Sequence, residues 1–462
     1  WITALSHFGT MRLSQVLEYT IELAEHGFPM YALLQGAIKN NAERFQTEWP
    51  TSMQVYMPDG QIPKVGDRFV QTDLANTLKR LVEAEYRKIR SGRYEAIRAA
   101  RDFFYKGEIA EQIVKFAQEN EFLDASGSRH CSLLSKEDLL NYSTRIEEPV
   151  TTNYRGYDVY KCGPWSQGPV FLQQINLLEG YNLATLRHNS PEYIHILVEV
   201  AKLAFADRER YYGDPDFIQV PLNILLSKEY AAERRKLIDP NHASMELRPG
   251  NAPSSKPEAK KRNPKVYIGD TTHLDSIDRW GNMFAATPSG GWFSTSPVIK
   301  GLGFPLGSRM QVFYLDPTHP NVLQPGKRPR TTLSPSLILK DGKPLMAFGT
   351  PGGDQQDQWS LQFFLNCIDF NMDMQEAVDV PTFHSSHFPS SFYMHGTQPC
   401  VIVIESRIPE STRSTLTKKG HKVQVTGPWS NGRVVAIRLD EKTGVISGVS
   451  SPRMETGYAM GW

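Results

Sequence analysis

Hydrophobic and polar positions divide the chain into a helical front and a strand-rich back. From Trp1 to about Asn120 apolar residues recur at helical spacing. Ser14 is expected to cap a run carrying Val16, Leu17, Ile21 and Leu23, stopped by Gly27. Met30 to Phe45 repeats the pattern, and the charged stretch Leu74 to Phe104 predicts an amphipathic helix or helix pair. Tyr154 to Tyr160 alternates as a strand, and Gly168 to Leu178 reads as a helix stopped by Gly180. Ser190 and Pro191 give an N-cap and N1 pair, followed by Ile194, Leu197, Val198 and Ala201 on one buried face. From Asp239 to Lys265 the pattern lapses into Pro, Asn, Ser, Gly and Lys, the composition of a surface linker that cannot order itself.

After Thr271 the period changes to two. His273 to Thr287 predicts two strands around Asp278–Asn282, Leu337 to Phe348 a hairpin around Asp341-Gly342, and Val434 to Val449 another around Glu441–Gly444. Helices are expected from about Gln355 to Phe370 and Pro409 to Lys419. Strands grouped with flanking helices imply a layered α+β fold. The front, 1–270, ends in the linker 239–270; the back is 271–462.

Composition adds limits. The chain has 462 residues, with 51 Lys+Arg against 50 Asp+Glu, a balance that gives nucleic acid no electrostatic footprint. No apolar run approaches the roughly 18 residues a membrane helix needs. Cys131, Cys162, Cys367 and Cys400 show no CxxC or zinc spacing, which favours reduced structural cysteines. His384 and His387 lack an evident third ligand, so neither metal nor cofactor is expected. The opening Trp-Ile-Thr-Ala-Leu reads as the inside of an apolar helix, and a further N-terminal piece is expected before it.

Three stretches carry candidate chemistry. A Thr that opens a strand after a linker, as Thr271 does after Asp270, becomes both nucleophile and base if the chain is cut before it. Its own freed amine, with a pKa near 8, then accepts the hydroxyl proton. An ordinary strand start is the competing reading. In Thr350-Pro-Gly-Gly-Asp354, between a strand and a helix, Gly352 and Gly353 can turn backbone N–H groups toward an oxyanion. A phosphate loop lacks its Lys-Ser/Thr here, and a plain turn stays open. Lys327–Pro335 sets three cations beside Thr331 and Thr332, which suits either a carboxylate or a basic surface turn. Ser289, at the far end of the first hairpin, is expected beside Thr271.

These stretches resemble the gamma-glutamyltranspeptidase family of N-terminal-nucleophile hydrolases over nearly the whole chain. The resemblance rests on Phe104–Ile113, Leu134–Leu139, Tyr154–Tyr160 and Phe205–Arg208 with Gly213–Phe217 in the front half. In the back half it rests on Thr271–His273, Asp278 with Gly281-Asn282, Lys327–Pro329, Leu333–Pro335 and Pro351–Gly353. It implies a four-layer αββα fold with two stacked antiparallel sheets, and a precursor that cuts itself between Asp270 and Thr271 into a large and a small chain. It further implies a Thr271 acyl-enzyme formed from an amide or gamma-glutamyl substrate and resolved by water or an amine. Gly352 and Gly353 match oxyanion-hole glycines, Thr331 and Thr332 a carboxylate-binding pair, and Ser289 a residue steadying the nucleophile. Gln311-Val312 stands where the family carries an acid for the substrate's α-ammonium, and Trp292-Phe293 adds expected apolar bulk nearby. An acyl group without an α-amine, such as a dicarboxylic monoamide or a cephalosporin side chain, is therefore a rival substrate; a non-catalytic binding member is a third reading.

Overall fold

The architecture is that of a computed structural model, which describes residues 1–124, 126–252, 271–453 and 457–461. The chain forms two compact units, Trp1–Glu147 with Trp292–Ser308, and Glu148–Gly291 with Arg309–Trp462.

The first unit is helical, as the front-end periodicity predicts. Its longer helices are Leu13–His26, Ala32–Thr47, Thr72–Arg87, Arg93–Lys106 and Glu108–Glu119. The charged stretch is thus a helix pair, with Ala75, Leu81 and Ala84 of one and Ile97 and Ala100 of the other turned inward. Ser14 does not cap its helix. Buried Glu85 accepts the first N–H groups instead, Leu13 at 2.8 Å and Ser14 at 2.9 Å. Phe293 is half-buried and packs against the core of this unit, with ring centroids 4.6 Å from Tyr56 and 5.3 Å from Phe45. Its bulk is explained by packing.

The second unit is built on an antiparallel sheet. Its elements, in chain order, are β1 (Val150–Tyr154), β2 (Tyr157–Lys161), α1 (Gly168–Leu178), α2 (Pro191–Tyr211), β3 (Leu274–Ile277) and β4 (Met283–Ala286). Then come β5 (Ser336–Lys340), β6 (Lys343–Gly349), α3 (Gln356–Ile368), β7 (Phe383–Ser385), β8 (Val401–Glu405), α4 (Glu410–Lys418), β9 (Lys422–Thr426), β10 (Val435–Leu439) and β11 (Ile446–Ser450). Six strands pair in the order β11-β10-β6-β5-β2-β1. The three expected hairpins form at their expected turns. The segment expected as one strand, Tyr154 to Tyr160, is a hairpin corner instead. Arg155 (φ 52) and Gly156 (φ 88) make the paired positive-φ turn that joins β1 to β2.

The sheet has two different faces because successive side chains alternate. Ala436 and Phe348 enter the main core with Phe171 of α1 and Phe364 of α3. Leu439, on the other face, lies under the β3–β4 turn at Gly281. Helices therefore cover one face and the hairpin that follows Thr271 covers the other, which is the α-β-β part of the expected layering. One small sheet departs from the all-antiparallel expectation: β7-β8-β9, in which β8 and β9 run parallel.

A buried ion pair ties α3 to the sheet. Lys161 Nζ lies 3.0 Å from Asp357, whose Oδ1 also accepts the Ser334 hydroxyl at 2.5 Å. Burial pushes Asp357 up and Lys161 down, so each group depends on the other.

The linker expectation is corrected for residues 239–252. Ser244 O accepts from buried Lys202 at 3.0 Å, Gly250 O accepts from the Tyr211 hydroxyl, and Gly250 N–H donates to Asp207 at 2.7 Å. Backbone hydrogen bonds to buried side chains order this segment, together with the packing of Leu247 and Ala252. Residues 253–270, Asp270 among them, lie outside the described residues.

Candidate active site

The β3–β4 pairing brings the two ends of its hairpin together. Thr272 N–H donates to Pro288 O at 3.1 Å, two residues beyond the last strand pair, Leu274 with Ala286. This sets half-buried Thr271 beside Ser289, with the hydroxyl oxygens 2.9 Å apart. Arg309 Nη2 donates to Ser289 Oγ. The chain leaves the second unit at Gly291 and re-enters it at Arg309, so the guanidinium arrives from 20 residues further on.

Behind Thr271 the strand carries a polar core. His273 is buried, with Nδ1 2.7 Å from Thr287 Oγ1 and Nε2 2.9 Å from Asp275 Oδ1. Burial raises the Asp275 carboxyl, against the pull of His273. This imidazole fixes where β6 can end. A Cβ on Gly349 would sit 2.3 Å from His273 Cε1, so only glycine lets the strand end approach it.

Directly after Gly349 comes the loop Thr350–Asp354. Gly352 has φ 135, and a Cβ there would meet Trp359 at 2.9 Å. A Cβ on Gly353 would meet Phe392 at 2.9 Å. Among the described residues, neither amide N–H of this pair is engaged by a hydrogen-bond acceptor. Two free N–H groups beside the N-terminus of α3 are what an oxyanion requires. The ring of Phe392 links the loop to the hydroxyl pair, because Arg309 Cζ lies 5.8 Å from its centroid.

Asp354 anchors the loop. Its carboxylate accepts from Ser391 Oγ at 2.6 Å, from Ser391 N–H at 3.0 Å and from Arg208 Nη1. Arg208 is fully buried and also donates to Glu209 at 2.9 Å. Burial alone would raise Glu209; Arg330 and Arg208 hold it well below the usual carboxylate range.

Gln356 ties the glycine loop to Ser334, two residues beyond Thr332. Its amide donates to Gly352 O, and its oxygen accepts from Ser334 N–H at 3.2 Å. Thr332 is buried, and Thr331 Oγ1 is buried with no partner among the described residues. The neighbouring cations are not presented for a carboxylate, which corrects that part of the sequence reading. Arg330 donates to Glu209, Arg328 to Asp214 and Lys327 to Pro320 O. Any carboxylate here meets hydroxyls, not free charge.

Sequence reasoning missed Arg309, Phe392, Gln356 and the Asp354–Arg208–Ser391 anchor. Only His273 and Asp275 carried a signal: two polar residues two apart on a strand share a face. Elsewhere, one buried trio, His195, Glu199 and His421, gathers ligand-type atoms within 4.8 Å. Lys202 at 2.6 Å and Arg248 at 3.0 Å already neutralise Glu199, and His195 Nδ1 lies 2.8 Å from His421 Nε2. His384 and His387 are buried and pushed down to about 4, each serving packing or backbone bonds. None of the four cysteines forms a disulfide among the described residues. No helix among the described residues is long and apolar enough to cross a membrane.

A helix-covered antiparallel sheet with the Thr271 hairpin on its other face agrees with the α+β fold of the N-terminal-nucleophile hydrolases. The chain belongs to the gamma-glutamyltranspeptidase family, whose model matches residues 1–461. It is 32% identical to the glutathione hydrolase proenzyme of Bacillus subtilis (strain 168), over 99% of this chain and 72% of that protein. A solved chain named LmbA2991HD superposes with a TM-score of 0.92 at 44% identity, over 100% of this chain and 80% of that one. The cephalosporin acylase from Bacillus halodurans superposes with a TM-score of 0.79 at 30% identity, over 98% of this chain and 75% of that one.

Proposed function

We propose that Thr271 is the nucleophile of a self-processing amide hydrolase or acyltransferase. The observation that carries this is the Thr271–Ser289 contact at 2.9 Å, in the same unit as a glycine pair with two open N–H groups. In the uncut chain the Thr271 hydroxyl attacks the Asp270 carbonyl. The peptide bond shifts to an ester, and water opens it, leaving a carboxylate on Asp270 and a free amine on Thr271. Residues 1–270 become a large chain and 271–462 a small one. In turnover the amine takes the hydroxyl proton as Oγ1 attacks the substrate carbonyl. Gly352 and Gly353 N–H groups hold the oxyanion, and the proton passes to the departing amine. Water or an acceptor amine then releases the acyl group. Thr331 and Thr332 hold the far end of that group through their hydroxyls.

The acyl group is read as one without an α-ammonium. Gln311 and Val312 offer no negative charge, and an ammonium buried without one is costly. The similarity to a cephalosporin acylase supports this reading. A gamma-glutamyl substrate is the second reading, favoured by the similarity to a glutathione hydrolase proenzyme.

Intact mass under denaturing conditions, with N-terminal sequencing, tests the cut. Two chains are expected, the smaller beginning Thr-Thr-His-Leu, with Thr271→Ala remaining whole and inactive. Turnover of glutaryl-p-nitroanilide against gamma-glutamyl-p-nitroanilide then separates the substrate classes. A cut protein that hydrolyses neither those nor other amides would favour a binding protein instead.

A further inference from the structure

We infer that the loop Ser390–Gly396 is a strap between the glycine loop and the segment around Gln311, and that His395 is the positioning residue that fastens it. The inference rests on Gly352 and Gly353 being the oxyanion donors. At one end the strap grips the glycine loop twice. Ser391 bonds Asp354 through both its hydroxyl and its N–H, and the Phe392 ring would be 2.9 Å from a Cβ on Gly353. At the other end Tyr393 N–H donates to Gln311 O at 2.9 Å. Gln311, with Val312, stands where the family resemblance places the acid that meets an α-ammonium. One short loop therefore touches both the groups that hold the oxyanion and the stretch that reads the acyl group.

The strap is closed on itself by backbone bonds, Ser390 N–H to Gly396 O at 3.0 Å and His395 N–H to Phe392 O at 2.7 Å. The His395 side chain adds what these bonds lack, a fixed seat. Its Nδ1 lies 2.9 Å from Ser390 O and its Nε2 3.0 Å from Phe313 O. A carbonyl oxygen only accepts, so each bond takes a proton on the ring nitrogen that faces it. The Phe313 bond crosses from the strap to the segment that carries Gln311. The imidazole also stacks on Tyr314, with centroids 3.7 Å apart and planes within 10°, and His319 covers the opposite face of that ring at 3.5 Å. The Tyr314 hydroxyl donates to Glu209 at 2.7 Å, and Glu209 is bonded by buried Arg208 and Arg330. Arg208 donates to Asp354 as well. The seat of His395 and the anchor of the glycine loop thus rest on the same buried guanidinium.

The test compares His395→Phe, which keeps the stack on Tyr314 and loses both side-chain bonds, with His395→Gln, which keeps a donor and loses the stack. Hydrogen exchange on the whole folded protein, read by mass spectrometry, is the first measurement. It follows the N–H groups of residues 312–314 and of residues 356–359, the first turn of α3, where Gln356 N–H bonds Gly353 O. Both sets should exchange about tenfold faster in His395→Phe, the loss expected of two neutral hydrogen bonds, while the β10–β11 hairpin stays as in the wild type. His395→Gln should lie between the two. The second measurement is turnover of glutaryl- or gamma-glutamyl-p-nitroanilide, whichever the wild type hydrolyses. In His395→Phe kcat should fall about tenfold and KM should rise, because the strap touches both ends of the site. In a Ser391→Ala background His395→Phe should cost little further kcat, because both act through the same strap. Faster exchange confined to residues 390–396, or kcat losses that multiply fully with Ser391→Ala, would overturn the inference while leaving Gly352 and Gly353 as oxyanion donors. If His395→Phe does not fold, His395→Gln decides the same comparison. An inactive wild type would remove the oxyanion reading itself, and the exchange result alone would then decide whether His395 fastens the strap.

Discussion

Replacing Asp354 by Asn tests how the glycine loop is held. The side chain keeps its volume but loses its charge. Asp354 now accepts from Ser391 twice, at 2.6 and 3.0 Å, and from Arg208, which is fully buried. The amide retains one acceptor oxygen, so its NH2 must face either the guanidinium or a Ser391 donor. The loss of a charge-assisted bond costs about 1.5–3 kcal/mol, and a donor left facing a donor about 1–3. Glu209, 2.9 Å from Arg208, keeps the guanidinium from being wholly unpaired and limits the total. The expected cost is therefore about 3 kcal/mol, a large part of the 5–15 kcal/mol that holds a typical protein folded. Urea unfolding followed by tryptophan fluorescence measures it, with Ser391→Ala as a control expected to lose about half as much. Because Asp354 directly follows Gly353, the amide pair should also drift. A displacement near 1 Å costs about 10²-fold in rate. A stability change under about 0.5 kcal/mol would refute the anchoring argument. A full stability loss with kcat unchanged would refute the link from anchor to loop.

Gly349→Ala should destabilise by about 2 kcal/mol and slow turnover, since its Cβ needs the space of the His273 ring; thermal melting and kcat report both. Lys161→Met should cost about 3–5 kcal/mol in urea unfolding by leaving Asp357 charged and alone, and a second change, Asp357→Leu, should recover most of it. His384, ordinarily near 6.5, is pushed down to about 4 by burial, so the unfolded chain binds its proton first as pH falls. Stability should then drop from about pH 6.5 to 4, by up to about 3 kcal/mol from this group, and His384→Phe should flatten the slope of unfolding free energy against pH.

Local chemistry was legible where turns announce themselves. Asp341-Gly342 and Asp278–Asn282 stood out as hairpins because their residues suit the required conformations. Arg155 in a positive-φ position gave no such notice, and β1–β2 was read as one strand. The nearness of Thr271 to Ser289 was legible because hairpin register pairs the two ends, and the Gly352-Gly353 turn because it lies between a strand and a helix. Arg309 was not, since a cation after a loop of 20 residues acquires a role only through tertiary placement. The segment 239–252 misled for the opposite reason: its composition forecasts disorder, yet buried Lys202 and Asp207 hold its backbone. In Lys327–Arg330 the cations were visible and their acidic partners, Glu209 and Asp214, were not.

The order β11-β10-β6-β5-β2-β1 has a mechanical consequence. Strands from before residue 270 and strands from after it share one hydrogen-bonded ladder, meeting at β2 and β5 through Tyr157–Lys161 and Ser336–Lys340. A break after residue 270 would leave that seam stitched by five residue pairs and by the buried Lys161–Asp357 pair across it. The peptide link there is redundant for cohesion. Pulling the pieces apart would bare two open strand edges and strand ionised groups in the core. The two halves should accordingly be inseparable without denaturant, and neither should fold when synthesised alone.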